Sequence, residues 1–235
     1  MEAYRRHWNA LGITFAGILS GYLASPEAAY QTAEFVDTFH HTGVTYLCDP
    51  VLGDQGRVYK GFTDASIEAM RSLAEKADFL TPNLTEFCLL TGTEMDAIMN
   101  REKEDKDALF AILTQKAAAF SQTDLVITGI PLKGEKSGKE ICNLIISKGS
   151  SHPVIFPHLG GSYSGTGDLF AAVLLAARLH KEGLVPSVNK AGQFIAKGIT
   201  AAQKEHTPGN AGIDYEPFLP LLRSSKEDGH DSAHA

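Results

Sequence analysis

The sequence predicts an α/β protein built on a mostly parallel sheet. Short apolar or β-branched runs alternate with segments of ten or more residues at helical spacing, which is the pattern of βαβ units. Several of the short runs end in glycine, proline or small polar residues, as strands do before a crossover helix. With 235 residues, 43% of them hydrophobic and 21% charged, the chain is long enough to bury a sizeable core.

Six short segments are predicted to be strands, because each is apolar or β-branched and is bounded by turn residues. They span 13–19, 44–48, 79–80, 125–128, 140–147 and 153–156. The first three end at Ser20-Gly21, Asp49-Pro50 and Thr81-Pro82-Asn83, and the fourth ends at Thr128-Gly129. Ligands bind at the carboxyl ends of parallel strands, so we expect these polar residues to gather at one edge of the sheet.

The predicted helices alternate with these strands and carry their own start and stop signals. Ser25 with Pro26 is typical of an N-cap and a first turn, and Gly43 and Gly92 end two of the helices. The charge run 100–107 is predicted to be the solvated start of a longer helix. The helices span 26–41, 65–76, 84–90, 100–120, 169–179 and 187–204.

The composition excludes several classes of function. A net charge of −7 gives no general attraction for nucleic acid or for an anionic membrane, so any phosphate must be bound locally. No apolar run reaches membrane-spanning length and no targeting segment is evident, so we expect a cytoplasmic protein. The three cysteines lie far apart and are expected to be core thiols rather than a disulfide or zinc framework.

We expect residues 1–223 to form one domain and residues 224–235 to form a disordered tail. The tail contains almost no apolar side chain, so it cannot bury enough surface to offset the entropy of ordering it.

The most informative motif is Gly165-Thr166-Gly167-Asp168, which precedes a strongly apolar helix. Two glycines let the backbone bend so that successive N–H groups point into one hollow, and the helix adds its positive end. An Asp at this turn would repel a bound phosphate, but it would serve as a base for an attacking hydroxyl group. The alternative is that Asp168 is a helix N-cap and that the glycines only shape the turn. The motif alone leaves both interpretations open.

Two further motifs follow predicted strands. Asp49 and Asp54 lie in a Gly-rich loop, and Mg²⁺ binds through one or two carboxylates together with waters and phosphate oxygens. Asn83 and Glu86 stand three residues apart at a helix start, where they share one face. A surface turn explains the first pair and a capping box explains the second, and in isolation these simpler interpretations are favoured.

Other catalytic patterns are missing from the sequence. There is no G-x-x-x-x-G-K-[ST] phosphate loop, and none of the nine histidines has the spacing of a metal ligand. No Ser/His/Asp triad is evident, and the pair Thr128-Gly129 is a weak signal by itself.

Taken together and in order, five segments resemble the pyridoxal kinases of the ribokinase-like superfamily. They are SGYL at 20–23, CDPVLGDQGRVYKGF at 48–62, ADFLTPNLTE at 77–86, VITG at 126–129 and SGTGDLFAA at 164–172. The similarity extends from Trp8 to Leu222, and the combination is far more specific than any single motif. It implies a three-layer α/β/α domain that transfers the γ-phosphoryl group of ATP to the 5′-hydroxymethyl group of pyridoxal, pyridoxine or pyridoxamine.

The resemblance also implies roles for residues on the substrate side. Asp168 would be the base that deprotonates the hydroxymethyl group, and residues 165–167 would form an anion hole. Tyr22 and Ser164 match positions that bind the vitamin B6 substrate.

On the nucleotide side, the resemblance implies ATP and Mg²⁺ as cofactors. Asn83 and Glu86 would organise Mg²⁺ and its waters, and Asp49 would support them. The implied ATP-binding set is Asp54, Tyr59, Asn83, Glu86, Thr128 and Gly129, and the implied metal-binding set is Asp49, Asp54 and Glu86.

One departure from the family concerns the N-terminus. Family members begin with a strand and a Gly/Ser-containing loop that help to bind the pyridine ring, whereas Met1 here falls in the helix that precedes the second half of the pattern. We therefore expect an N-terminally truncated fold, with an incomplete substrate half and a complete ATP and Mg²⁺ half.

Two alternatives to a vitamin B6 kinase follow from these features. The first is a catalytically weak or inactive kinase-like fragment that binds nucleotide or a partner chain, using an exposed sheet edge. The second is a hydroxymethylpyrimidine kinase, although those enzymes usually have Cys where Asp168 stands. The resemblance also implies a homodimer.

Overall fold

The computed structural model describes residues 1–95, 98, 106–120, 123–133 and 139–223. These residues form two compact units, one spanning Met1–His158 and the other beginning at Leu159. In the described residues, the first unit contains a six-stranded sheet, a two-stranded hairpin and five α-helices, and the second contains two α-helices and two 3-10 helices. The predicted tail 224–235 lies outside the described residues, so both its disorder and the predicted domain boundary stay predictions.

The first unit is built on a six-stranded sheet. Its strands are β1 Gly17–Ser20, β2 Thr45–Cys48, β5 Phe79–Leu80, β6 Asp124–Lys133, β7 Lys139–Ser147 and β8 Ser150–Pro157, in the order β1-β2-β5-β6-β7-β8. The first four run parallel to one another, and β7 and β8 extend the sheet as an antiparallel hairpin. This arrangement confirms the predicted α/β class with a mostly parallel central sheet.

The helices fall close to their predicted positions. They are α1 Glu2–Ala10, α2 Pro26–Phe39, α3 Asp64–Ala74, α4 Leu84–Thr91, α5 Lys106–Phe120, α6 Thr166–Leu179 and α7 Leu184–Lys204. The predicted cap of α2 is confirmed, because Ser25 Oγ accepts a hydrogen bond from the N–H of Ala28 at 3.2 Å. The predicted helical residues 100–105 lie outside the described residues. In the described part of the chain, no helix has both the length and the apolar character needed to span a bilayer.

The Gly-rich loop after β2 is more ordered than the sequence predicts. It contains a small antiparallel hairpin of β3 Gly53–Asp54 and β4 Arg57–Val58. The turn residues Gln55 and Gly56 have φ angles of +50° and +78°, which is the conformation of a type I′ turn. The sequence signal is weak because Gln, rather than Asn or Asp, stands before the glycine.

The fourth predicted strand ends too early. The prediction stops β6 at Thr128-Gly129, but the strand continues to Lys133 with a shift of register between Ile127 and Ile130. Gly129 lies within this irregularity, where an extra residue bends the strand without ending it. The irregularity at residues 128–129 lies beside the carboxyl end of β5, because Thr128 forms a parallel bridge with Asn83 just beyond that strand.

The core of the first unit is formed by side chains of the sheet and of α2 to α5. Val36, Leu73, Phe87 and Leu113 represent the four helices in it, and each is at most 1% exposed. Cys48 and Leu80, which end β2 and β5, are fully buried in the same cluster. The loops that follow these two strands therefore start from fixed points.

The two edges of the sheet differ. Among the described strands β1 pairs only with β2, and Leu19 on β1 is 41% exposed. At the opposite edge, β8 contains Pro153 and Pro157. The N–H of His158 bonds to the carbonyl of Lys139 on β7. In an antiparallel pair every second residue directs its N–H toward the partner strand, and the residues between them direct theirs away. Pro153 and Pro157 each lie an odd number of residues from His158 and so occupy the outward positions. Both proline nitrogens therefore face outward, where they remove two N–H donors from the edge.

We expect Leu73→Ala to destabilise the protein by about 2–5 kcal/mol, because Leu73 is fully buried and truncation leaves a cavity. Leu11→Ala is a suitable control, since Leu11 is 61% exposed and its truncation should change stability by about 0.5 kcal/mol at most. Urea unfolding measures both values. Equal losses of unfolding free energy in the two variants would contradict this description of the core.

Candidate active site

Two buried carboxylates lie at the carboxyl ends of the parallel strands. Asp49 directly follows β2 and is 7% exposed, and Glu86 lies in the first turn of α4 and is 4% exposed. Thr81, which follows β5, donates its hydroxyl to Oδ1 of Asp49 at 2.8 Å. The fold thus brings together residues that belong to two separate sequence motifs.

Glu86 connects the start of α4 to the loop after β2. Its Oε2 accepts the backbone N–H of Asn83 at 2.8 Å, and Asn83 Oδ1 accepts the backbone N–H of Glu86 at 3.0 Å. This is the capping box that the sequence offers as the simpler interpretation. The other oxygen, Oε1, accepts the N–H of Leu52 at 3.2 Å, which a capping box does not require.

Burial raises the pKa of Glu86 to about 8 from an ordinary value of 4.5. Hydrogen bonds from backbone N–H groups, first that of Asn83, lower this pKa, and the nearby charge of Asp49 raises it. Among the described residues, no Lys or Arg forms a salt bridge with Glu86. A cation would therefore stabilise the charged form of this carboxylate.

The donor set fits Mg²⁺, which prefers oxygen ligands and keeps several waters when it binds alongside phosphate. No group of three or more His, Cys, Asp or Glu residues able to hold a metal by itself occurs in the described part of the chain. Both oxygens of Glu86 already accept backbone N–H groups. This arrangement suits an ion bound largely through waters and phosphate oxygens, and the metal-binding set of Asp49, Asp54 and Glu86 stays a prediction.

Asp54 and Tyr59 lie on the β3–β4 hairpin. Asp54 is exposed, and its Oδ1 accepts the N–H of Gln55 at 2.8 Å, which supports the turn. Tyr59 is 42% exposed and continues the hairpin, because its N–H bonds to the carbonyl of Leu52 at 2.9 Å. Partial burial, followed by the charges of Asp54, Glu86 and Asp49, raises the pKa of the Tyr59 hydroxyl. Both side chains are thus in the electrostatic environment of the carboxylates.

Thr128 and Gly129 reach the same edge of the sheet from β6. The N–H of Thr128 bonds to the carbonyl of Pro82 at 2.9 Å, which places Thr128 beside Asn83. The N–H of Gly129 bonds to Oδ1 of Asn143 at 3.1 Å. Asn143 is a buried residue of β7 that the sequence interpretation missed, and its place in a long apolar strand gave no signal of this contact.

Tyr22 follows β1 and is 60% exposed. Its ring packs edge-on against the ring of Phe62 with a centroid distance of 5.7 Å. Phe62 is the last residue of the segment CDPVLGDQGRVYKGF at 48–62, but the sequence alone gave no reason to pair it with Tyr22. The two rings form an aromatic surface beside the strand ends.

In the second unit, the Gly165-Thr166-Gly167-Asp168 motif begins α6. Gly165 is the N-cap with φ +80°, and Asp168 is the third residue of the helix. The alternative in which Asp168 caps the helix is therefore wrong. The N–H groups of the N-cap and the first turn have no carbonyl partner within a helix, so those of residues 165–167, the predicted anion hole, can bind an anion. The carboxylate of Asp168 is exposed at the same turn.

Ser164 is held in place by the segment that follows α7. Its N–H bonds to the carbonyl of Gly209 at 2.9 Å, and Thr166 donates its hydroxyl to the carbonyl of Tyr163 at 3.1 Å. These two bonds fix the chain on both sides of Gly165. The turn that presents the three N–H groups is therefore shaped before any ligand binds.

The fold is that of the ribokinase-like superfamily, and comparison with known proteins confirms this class. The family model of the phosphomethylpyrimidine kinases matches residues 10–212. The chain belongs to this family.

Within that family, similar proteins are named for vitamin B6. The pyridoxal kinase of Dictyostelium discoideum is 26% identical over 93% of this chain and 72% of its own length. The crystal structure of pyridoxal kinase from Lactobacillus plantarum has a TM-score of 0.81 and 25% identity, covering 97% of this chain and 78% of that one. A Bacteroides thetaiotaomicron structure assigned to the phosphomethylpyrimidine kinases, solved with pyridoxal, has a TM-score of 0.82 and 29% identity over 94% of this chain and 76% of that one.

These similarities confirm the predicted resemblance to pyridoxal kinases, and they do not favour the hydroxymethylpyrimidine kinase or the inactive fragment. Four further relatives named as pyridoxal kinases are matched over 47–51% of their own length; they come from fission yeast, Caenorhabditis elegans, Arabidopsis thaliana and budding yeast. The chain thus spans about half the length of these curated relatives.

The raised pKa of Glu86 predicts a specific dependence of stability on pH in the absence of Mg²⁺ and nucleotide. Between about pH 4.5 and 8 the folded protein keeps a proton on Glu86 that the unfolded chain has released. The contribution of Glu86 to the free energy of unfolding should therefore fall as pH rises, by at most about 1.4 kcal/mol per pH unit. Urea unfolding at several pH values measures this slope.

Glu86→Gln should remove this contribution and flatten the curve, apart from a constant offset due to altered hydrogen bonds. Glu27→Gln is the matched control, since Glu27 is also in the first turn of a helix but is exposed. It should keep the wild-type slope. A Glu86→Gln curve parallel to that of the wild type would disprove the raised pKa.

Proposed function

We propose that this chain transfers the γ-phosphoryl group of ATP to the 5′-hydroxymethyl group of pyridoxal, pyridoxine or pyridoxamine. The observation that carries the proposal is the start of α6, where the N–H groups of residues 165–167 and the carboxylate of Asp168 occupy one turn. An anion hollow next to a base is what phosphoryl transfer to an alcohol requires. The names of the pyridoxal kinase relatives and the pyridoxal in the Bacteroides structure support the choice of substrate.

In the proposed reaction, Asp168 accepts the proton of the hydroxymethyl group. The oxygen attacks the γ-phosphorus, the bond from that phosphorus to the bridging oxygen of ADP breaks, and ADP leaves with the electron pair. The N–H groups of residues 165–167 stabilise the negative charge on the transferring group. Because Gly165 and its neighbours fix their direction beforehand, these dipoles need no reorganisation during the reaction.

The carboxylates of the first unit are assigned to the nucleotide side. Mg²⁺, when bound with ATP, would neutralise charge on the β- and γ-phosphates. Asp49 and Glu86 would hold the ion and its waters, and their low exposure keeps competing water away. Asn83 keeps Glu86 in its orientation, and Thr128 offers a hydroxyl to a phosphate oxygen.

On the vitamin side, Tyr22 and Phe62 offer an aromatic surface for the pyridine ring. Offset or edge-on contacts between aromatic rings contribute about 0.5–1.5 kcal/mol beyond the burial of their area. Ser164 supplies a hydroxyl group for a polar substituent of the ring. A homodimer and a cytoplasmic location complete the proposal, and both rest on the sequence interpretation alone.

Asp168→Asn should lower kcat for pyridoxal phosphate formation by a factor of about 10²–10⁴, because the amide cannot accept the proton. The affinity for Mg-ATP should change little, since Asp168 acts on the acceptor. Chromatographic assay of pyridoxal phosphate gives kcat, and calorimetry gives the dissociation constant of ATP.

Asp64→Asn is the matched control, because Asp64 is an exposed Asp in the first turn of α3. It should retain wild-type turnover. Phosphorylation of hydroxymethylpyrimidine in preference to every B6 vitamer would overturn the proposed substrate. Full activity of Asp168→Asn would overturn the proposed base.

A further inference from the structure

The hydroxyl group of Thr85 contacts the turn of the β3–β4 hairpin. Thr85 is the second residue of α4 and is 5% exposed. Its Oγ1 accepts the N–H of Gly56 at 2.9 Å. Gly56 belongs to the type I′ turn, whose residues are all exposed to solvent. A buried helix residue therefore holds the exposed end of a hairpin.

The other hydrogen bonds between the start of α4 and this segment lie at its base, at Leu52 and Gly53. Glu86 Oε1 accepts the N–H of Leu52, and Asn83 Nδ2 donates to the carbonyl of Gly53 at 2.8 Å. Among the hydrogen bonds between α4 and the described hairpin residues, the bond of Thr85 alone reaches the turn. Strands of two residues each form a marginal hairpin on their own, so an external bond at the turn has a large effect on its position.

We infer that Thr85 is a positioning residue that holds the hairpin, and with it Asp54 and Tyr59, in the arrangement that binds ATP. This inference rests on the proposed function, in which those two residues belong to the nucleotide side. Thr85 acts through the N–H of Gly56 and touches no substrate. It shares the first turn of α4 with Glu86, so one turn of helix orients both the buried carboxylate and the hairpin.

Thr85→Val keeps the shape of the side chain but removes the acceptor, whereas Thr85→Ser keeps the acceptor. Loss of one hydrogen bond at the turn should raise the KM for ATP about tenfold. The KM for pyridoxal should change less than twofold, because its proposed contacts lie elsewhere. Thr85→Ser should return the KM for ATP to within about twofold of the wild-type value.

Thr32→Val is the matched control. Thr32 is a buried threonine of α2, 7% exposed, and it donates its hydroxyl at 2.8 Å to the carbonyl of Ala28 in its own helix. This variant should leave the KM for ATP unchanged. An equal rise of that KM in Thr32→Val would show that a buried Thr→Val change is harmful in general, and would overturn the positioning role.

Amide hydrogen exchange without substrates tests the contact independently of catalysis. The N–H of Gly56 should exchange about tenfold faster in Thr85→Val than in the wild type or in Thr85→Ser. An unchanged exchange rate, or an unchanged KM for ATP in Thr85→Val, would overturn the inference. A wild-type protein that makes no pyridoxal phosphate would overturn the proposed function, while the Gly56 exchange rates still decide whether Thr85 holds the hairpin.

Discussion

The carboxylate of Glu86 is buried, with only 4% of the residue exposed to solvent. Most of the contacts in the first unit's part of the candidate site stabilise this carboxylate or are oriented by it. A buried charge is costly unless hydrogen bonds and an opposite charge compensate for it. Backbone N–H groups from Asn83 and Leu52 supply the hydrogen bonds, and those bonds determine where the loop after β2 runs. In the described structure no basic side chain pairs with Glu86, so burial raises its pKa to about 8, and a bound cation would stabilise its charged form.

The same helical turn explains why two motifs that are distant in sequence lie together in the fold. Asn83, Thr85 and Glu86 each bond to a different point of the segment 52–56. The loop therefore depends on the helix for its conformation, although the two are about thirty residues apart in sequence. The turn that begins α6 has a different cause. Gly165 has a positive φ, and the two hydrogen bonds that flank it set the direction of the N–H groups.

Much of the fold was predictable because its signals are local. The alternation of short apolar segments with longer helical segments predicted a mostly parallel sheet, and Ser25-Pro26 predicted the start of α2. The hairpin at 53–58 was missed because its strands are two residues long and its turn has Gln at the first position. The continuation of β6 was missed because Thr128-Gly129 is a stop signal unless a neighbouring strand, here β7 with Asn143, pairs beyond it. The predicted site residues came from motifs, but the contacts of Thr85 and Phe62 depend on chain segments that meet only in three dimensions.

The outward-facing nitrogens of Pro153 and Pro157 determine how sheets of this kind can associate. A strand that approaches β8 finds two donors missing, whereas β1 contains no proline. Pairing through β1 joins two sheets and leaves a proline-containing edge at each end of the joined sheet. Growth by addition of further sheets then stops. The two prolines therefore make β8 a poor template for the addition of another strand.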